Sequence, residues 1–316
     1  NIYLDSLKLR FHSTSNEYTE KLIYTLNQEK FDIIEIHNRP LVLSKLMGKI
    51  NSKFIMYYHN DPLSMSGSKT VSERNEIIKK VDKLIFISRW VKDRFFKGIK
   101  NNYLHKTKII YHSVNTRKKT IKSNLIVFVG KLNYSKGYDI YRDAIIKILD
   151  KYANWKALSI GSESRRNIYI NHKQHKELGF INHKKTLEIL DKSEIAVVPS
   201  RWEEPFGRVA LEAAACGCAT ITSATGGLLE TNNYLININK IDSEKLYSKI
   251  DLLIQNNNKR KELQKLSRQN IKHKISNNTN VIDLMRDSIF PKYQLNLLRK
   301  KLKIINLYNQ GQKTDY

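Results

Sequence analysis

Four short runs constrain the first third of the chain: FDIIEIH (31–37), KFIMYYH (53–59), KLIFIS (83–88) and TKIIYHS (107–113). Each carries the β-branched and aromatic residues of a strand. The stretches beside them, such as VSERNEIIKKV (71–81) and RWVKDRFFKGI (89–99), repeat their apolar residues at helical spacing. Strands alternating with helices predict a parallel sheet covered on both faces. Residues 116–124, TRKKTIKSN, have almost no apolar content and read as a linker. The alternation then restarts. LIVFVG (125–130), KALSIG (156–161), KELGFI (176–181), EIAVVP (194–199) and CATITS (218–223) read as strands. A segment from about 139 to 150, HKKTLEILDKS (183–193) and GRVALEAAACG (207–217) read as helices between them. Two such blocks predict two doubly wound domains, with ligands at the carboxyl ends of the strands, in the cleft between domains. Past residue 243 the pattern is helical, with Leu246, Ile250, Leu253 and Ile254 on one face. After Pro291 the tail KYQLNLLRKKLKIINLYN sets Leu295, Leu298, Leu302 and Ile305 against a face of lysine and arginine, which predicts a basic amphipathic helix.

The chain has 316 residues and a net charge of +26. A nucleic-acid binder gathers such charge on a recognisable module. Here the lysines are spread along the chain amid many Asn, Ile and Tyr residues, so compositional drift or attraction to an anionic membrane surface accounts for the charge better, and no nucleic-acid partner is expected. No apolar run approaches the roughly eighteen residues of a membrane span. Cys216 and Cys218 are one residue apart. They read as small, buried, reduced thiols, which suits the cytoplasm, with the inner face of its membrane as the place of any peripheral attachment. The start does not read as a signal peptide, and it begins at Asn1 rather than Met, so a preceding piece is expected.

Half of the 12 glycines fall in three places: Gly130 and Gly137, Gly207 and Gly217, Gly226 and Gly227. All three lie at or near the carboxyl end of an expected strand, where backbone must turn sharply or approach a ligand. In GKLNYSKG (130–137), Lys131 and Lys136 join backbone amides in a plausible diphosphate cradle. Neither the P-loop pattern nor G-x-G-x-x-G occurs, which removes the main support for a nicotinamide cofactor. In WEEPFGRVALEAAACG (202–217), Glu204 precedes the helix and Glu212 lies inside it. Eight residues at about 1.5 Å each span roughly 12 Å, against roughly 5 to 9.5 Å for the paired carboxylates of glycosidases. Two ends of one extended ligand fit that spacing better than two sides of one bond. Carboxylates accept from sugar hydroxyls, so with the cationic cradle they suggest a nucleotide sugar. No D-x-D occurs, and lysines with helix amino-terminal amides can neutralise a diphosphate, so no metal and no cofactor are expected.

At these residues the chain resembles the family 4 glycosyltransferases of the GT-B fold, whose members include enzymes of lipopolysaccharide-core type. PSRWEEPFGRVALEAAACG with TGGLLE is similar to their E-x7-E region, and GKLNYSKG to their G-R-L-x-x-x-K-G segment. GFINHKKTLEILDKSEIAVVPS, FDIIEIHNRP and MYYHNDP match further stretches, so the resemblance covers roughly residues 30–235. It implies two Rossmann-like domains facing across a cleft, with a C-terminal helical segment. The expected divisions are 1–117 on the acceptor side, 118–290 for the donor nucleotide, and 291–316 as the basic helix. It also implies a retaining transfer without metal, from a nucleotide-diphosphate sugar to a glycan or glycolipid of the envelope. Glu204 would contact the donor sugar, Phe206, Gly207 and Arg208 would hold sugar and diphosphate through their backbone, and Glu212 would hold the ribose. Lys131 and Lys136, with Gly130 at the turn, would bind the diphosphate and stabilise the leaving group. His59 would reach the donor sugar, Ile181 would lie near the base, and His37 and Asn38 are acceptor-side candidates. The family usually has arginine where this chain has Lys131, which keeps the charge and loses the bidentate fork. Its first strand and glycine-rich loop are not recognisable in residues 1–30. Other GT-B chemistries, an epimerase or a phosphorylase, and a non-catalytic basic protein binding a polyanion stand as alternatives; the last leaves the two glutamates unexplained.

Overall fold

The computed structural model describes residues 14–100, 103–115, 117–165, 167–271, 275–289 and 304–307. They form two compact units that divide after Tyr111, and the described residues from Thr279 onward belong to the first.

The first unit runs α1 (Thr14–Gln28), β1 (Ile33–His37), α2 (Pro40–Leu46), β2 (Lys53–Tyr58), α3 (Val71–Lys80), β3 (Lys83–Phe86), α4 (Arg89–Phe96) and β4 (Thr107–Ile109). Local chemistry sets the helix starts. Pro40 opens α2, Thr70 and Glu73 form a reciprocal capping box on α3, and the Ser88 hydroxyl accepts from Val91 N–H at the start of α4. The strands pair in parallel in the order β1-β2-β3-β4. All five residues of β1 are buried, which suits a strand covered on both faces.

The second unit contributes β5 (Ser123–Val129), α5 (Tyr138–Lys151), β6 (Lys156–Ile160), β7 (His175–Glu177), α6 (His183–Lys192), β8 (Ser193–Val198), α7 (Arg208–Ala215), β9 (Ala219–Ser223), β10 (Ile236–Ile238), α8 (Ser243–Gln255) and α9 (Asn257–Gln269). Its six strands are parallel, in the order β10-β9-β8-β5-β6-β7. Alternate residues of β5 feed opposite faces. Ile126 and Phe128 pack with Tyr141, Ile145 and Leu246 from α5 and α8, whereas Val127 and Val129 pack with Leu190 of α6, Ala213 of α7 and Cys216 just past it. The sequence order runs outward from β5 to β7, then resumes on the other side of β5 with β8. The strand order therefore reverses between β5 and β8, where doubly wound sheets bind ligands.

Two expectations are corrected. The segment read as a linker is docked on the second unit. The Arg117 guanidinium donates to both carboxylate oxygens of Asp191, and Lys122 Nζ donates to the carbonyls of Leu190, Asp191 and Cys216, at the ends of α6 and α7. Ile305, expected on a helix, lies in β11 (Ile304–Leu307), a strand parallel to β1. IINL, with its β-branched pair, can read as either element, and the edge ladder of β1 decides in favour of a strand. The rest of the expected 291–316 helix lies outside the described residues, as do residues 1–13. The described remainder of the first thirty residues is mostly α1. A further helix, α10 (Ile275–Asp287), lays Met285 on the core of Ile33, Ile55, Tyr57 and Ile85. Cys216 and Cys218 are free and buried, and burial raises both thiols, Cys218 to about 11, so neither is a reactive thiolate.

Candidate functional site

The GKLNYSKG and SRWEEPFG loops leave the carboxyl ends of β5 and β8, neighbours in the sheet. Their backbones are joined: the amides of Arg201 and Trp202 both donate to Ser135 O, at 2.9 and 3.0 Å. Arg201 reinforces the junction. Its guanidinium forks onto Asp139 and stacks on the Tyr134 ring, 3.7 Å from the centroid. Asn133 turns the first loop, accepting from Lys136 N–H at 3.1 Å while its amide donates to Glu163 at 2.9 Å. Gly137 then takes a left-handed conformation, φ +68°, where a Cβ would fall 2.0 Å from Pro199 O. This glycine lets the two loops touch.

The result is an ion pair. Lys136 Nζ lies 2.6 Å from Glu204 Oε1, and Glu204 is the more buried of the two. The TGGLLE segment packs behind it: Gly227 N–H donates to Glu204 O at 2.7 Å, and a Cβ on Gly227 would meet Pro205 O at 2.2 Å. Gly207, φ +93°, turns the chain into α7 and offers no side chain to cap the first amides of that helix. Phe206 is buried, beside the His112 ring. Lys131 is exposed on the first loop, beside Glu163, whose carboxyl is held below the usual range chiefly by the Asn133 hydrogen bond. Gly130 closes β5 with a bond from its N–H to Ile160 O, and its carbonyl sits where a Cβ on Gly161 would be.

Glu212 answers the puzzle of a carboxylate in an alanine helix. It is 3% exposed, and its Oε1 accepts from Arg208 Nε and from the His183 ring, both at 2.9 Å. A buried carboxylate with two partners is tolerable in a way an isolated one is not. His183 escaped the sequence reading, although a histidine at the start of the helix after Ile181 was a usable signal. Ile181 is half-buried beside the α6–α7 core. Sequence reasoning also missed Asn133, Asp139 and Arg201, which position the loops.

The first unit holds its own cluster. His37 ends β1, and the register sets it opposite Tyr57 on β2, with the rings stacked 4.2 Å apart. His37 Nδ1 lies 2.8 Å from His59 Nε2. Asn38, at φ 55°, accepts the His59 N–H on its side-chain oxygen at 2.7 Å. Burial pulls the His59 pKa down to about 4, so the ring is neutral near pH 7. His37 and Asn38 were acceptor-side candidates; both bond to His59.

A parallel α/β protein with glycine-turned, lysine-bearing loops at its switch point is of a nucleotide-binding type. The description "Glycosyl transferases group 1" matches residues 113–270, half of the chain. The chain belongs to that family and is a glycosyltransferase. Spore coat protein SA of Bacillus subtilis is 26% identical over 299 residues, covering 82% of this chain and 78% of that protein. An uncharacterized glycosyltransferase of Methanocaldococcus jannaschii is 27% identical over 256 residues, covering 70% of this chain and 65% of its own length. Among solved structures, Anabaena HepE in complex with UDP-glucose superposes with a TM-score of 0.72 at 16% identity, over 85% of this chain and 82% of that one. Such structural neighbours show the GT-B fold.

Proposed function

We propose that the chain transfers a sugar from a nucleotide-diphosphate sugar to a glycan or glycolipid of the cell envelope, with retention and without metal. The carrying observation is the junction at the switch point, where Lys136 and Glu204 meet on two loops locked together by backbone bonds. HepE, of the same fold, is described with UDP-glucose. The diphosphate lies against Lys131, Lys136 and the amides of 206–208, a cationic environment that offsets charge on the leaving group. Glu204 accepts from hydroxyls of the transferred sugar, sharing itself with Lys136. Glu212 takes the ribose on Oε2, since among the described residues its bonds from Arg208 and His183 both end on Oε1. Ile181 and its neighbours border the base. His59 takes a hydroxyl of the transferred sugar, the role the resemblance implies.

In the reaction the bond between the anomeric carbon and the diphosphate oxygen breaks. The acceptor oxygen bonds that carbon on the same face, and its proton passes to the leaving phosphate. No protein base is needed.

Attachment to the cytoplasmic face of an anionic membrane belongs to the same reading. It is supported by the net charge of +26 and by exposed Lys118 and Lys119 next to Ile121, which is 95% exposed. Among the described residues no helix is long and apolar enough to cross a membrane.

The test is a panel of UDP-, GDP- and ADP-linked sugars, turned over in EDTA, with the anomeric configuration of the product read by NMR. Turnover with retention is expected. Inversion, or activity that EDTA abolishes, contradicts the mechanism, and indifference to every donor contradicts the reading as a whole.

A further inference from the structure

Glu35, His37 and Tyr57 share one face of the first sheet. Glu35 and His37 are two apart on β1, and His37 pairs with Tyr57 on β2. Glu35 is 1% exposed, a carboxylate inside a wholly buried strand. It is compensated from a distant part of the chain: Arg286 on α10 donates from Nε and Nη2 to its two oxygens, at 2.9 and 2.8 Å. The Tyr57 hydroxyl donates to Glu35 Oε1 at 3.1 Å, and the Tyr57 ring stacks on His37 within 9° of parallel. His37 in turn meets His59 at 2.8 Å, with the two rings 10° from parallel. Five side chains thus run in contact from α10 to His59.

A bond between two imidazole nitrogens needs one N–H and one bare nitrogen. With His59 neutral, the tautomer of either ring fixes the tautomer of the other. With both rings neutral, two arrangements of protons satisfy the contact. Asn38 pins the His59 backbone at the same time.

We propose that His37 is a positioning residue that sets the tautomer and ring plane of His59, and that Tyr57, Glu35 and Arg286 hold His37 in place for that task. The proposal rests on the reading of His59 as a contact to the transferred sugar. A neutral imidazole whose tautomer is fixed presents a hydroxyl with one defined donor or acceptor. A freely averaging ring presents it only part of the time.

The test uses the full chain labelled with ¹⁵N-histidine. In the wild type, a scalar coupling across the hydrogen bond between His37 Nδ1 and His59 Nε2 is expected at pH 7, with each ring in a single tautomer. His37→Phe keeps a ring for the stack and removes the nitrogen, so His59 should average between tautomers. His37→Asn returns a polar atom near the Nδ1 position and should restore a single one. Turnover of the best donor among UDP-, GDP- and ADP-glucose should fall on the order of tenfold in kcat for His37→Phe, the worth of one buried hydrogen bond. The donor KM should stay within about twofold, and His37→Asn should recover most of the loss. Absence of the coupling with both rings resolved overturns the proposal without any variant, as does an unchanged His59 tautomer in His37→Phe. A wild type that shows the coupling but turns over no donor leaves the positioning intact and sinks the donor reading instead.

Discussion

The two units build their polar clusters in opposite ways. In the first, a carboxylate is sealed inside: Glu35 is buried against a half-buried Arg286, and burial keeps the His59 ring neutral. In the second, the loop at the end of β5 keeps cations accessible: Lys131 is exposed and Lys136 is about one-third exposed beside the half-buried Glu204, while the buried Glu212 is held by Arg208 and His183. A sealed network fixes geometry, whereas a cationic loop edge meets a charged ligand. On the proposed function, the same parallel α/β architecture would supply orientation in one unit and electrostatic compensation in the other.

That contrast can be broken experimentally. Lys136→Ala should give the largest effect, lowering kcat by roughly 10²–10³, as loss of a charge-stabilising donor does, while leaving the folding of the first unit unchanged. Steady-state kinetics with an active donor and a urea melt decide it; a loss smaller than tenfold would mean that Lys136 only pairs with Glu204. Arg286→Ala should do the reverse. Removing the partner of the buried Glu35 carboxylate costs about 3–5 kcal/mol of stability, seen as lost hydrogen-exchange protection in β1 and β2, with the second unit unaffected.

Acid should act on the first unit in the same direction. The folded-state pKa of His59, about 4, lies below the ordinary value of 6.5, so between them the unfolded chain binds more protons. The stabilisation is complete above about pH 6.5 and is lost as pH falls toward about 4, by roughly 3 kcal/mol at most. Exchange protection of the β1 and β2 amides should follow that window; a flat profile would remove burial as the cause. The smallest effect is expected from Ile121→Ser, a few-fold loss of sedimentation with anionic vesicles at low salt. Equal sedimentation would leave the lysines as the whole of any attraction.

The legible parts of the sequence were those carried by local chemistry. LIVFVG and IAVVP became adjacent central strands because β-rich apolar runs need cover on both faces. GKLNYSKG and EEPFG met at their ends because glycine and asparagine set the turns. What was not legible depended on pairing across long stretches of chain. Glu35 stands as a charge within FDIIEIH, and its partner Arg286 lies 251 residues away. The docked linker was hidden for the same reason: TRKKTIKSN has the composition of a free segment, and its partners, among them Asp191 and the carbonyls at the ends of α6 and α7, lie far along the chain. In the tail, the periodicity of Ile305 suited a helix, while β1 offered a ladder that no local pattern reveals.

The central claim, that the loops at the β5–β8 switch point hold a nucleotide-diphosphate sugar, is tested most directly by residue-resolved binding. Backbone amide spectra of the full chain would be titrated in EDTA with UDP-, GDP- and ADP-glucose. The expected result is saturable binding of at least one donor, with the largest shifts at Gly130–Gly137 and Glu204–Glu212, abolished by Glu204→Ala combined with Lys136→Ala. Saturable binding that leaves those two segments unmoved, or no binding of any donor by the folded chain, would contradict it.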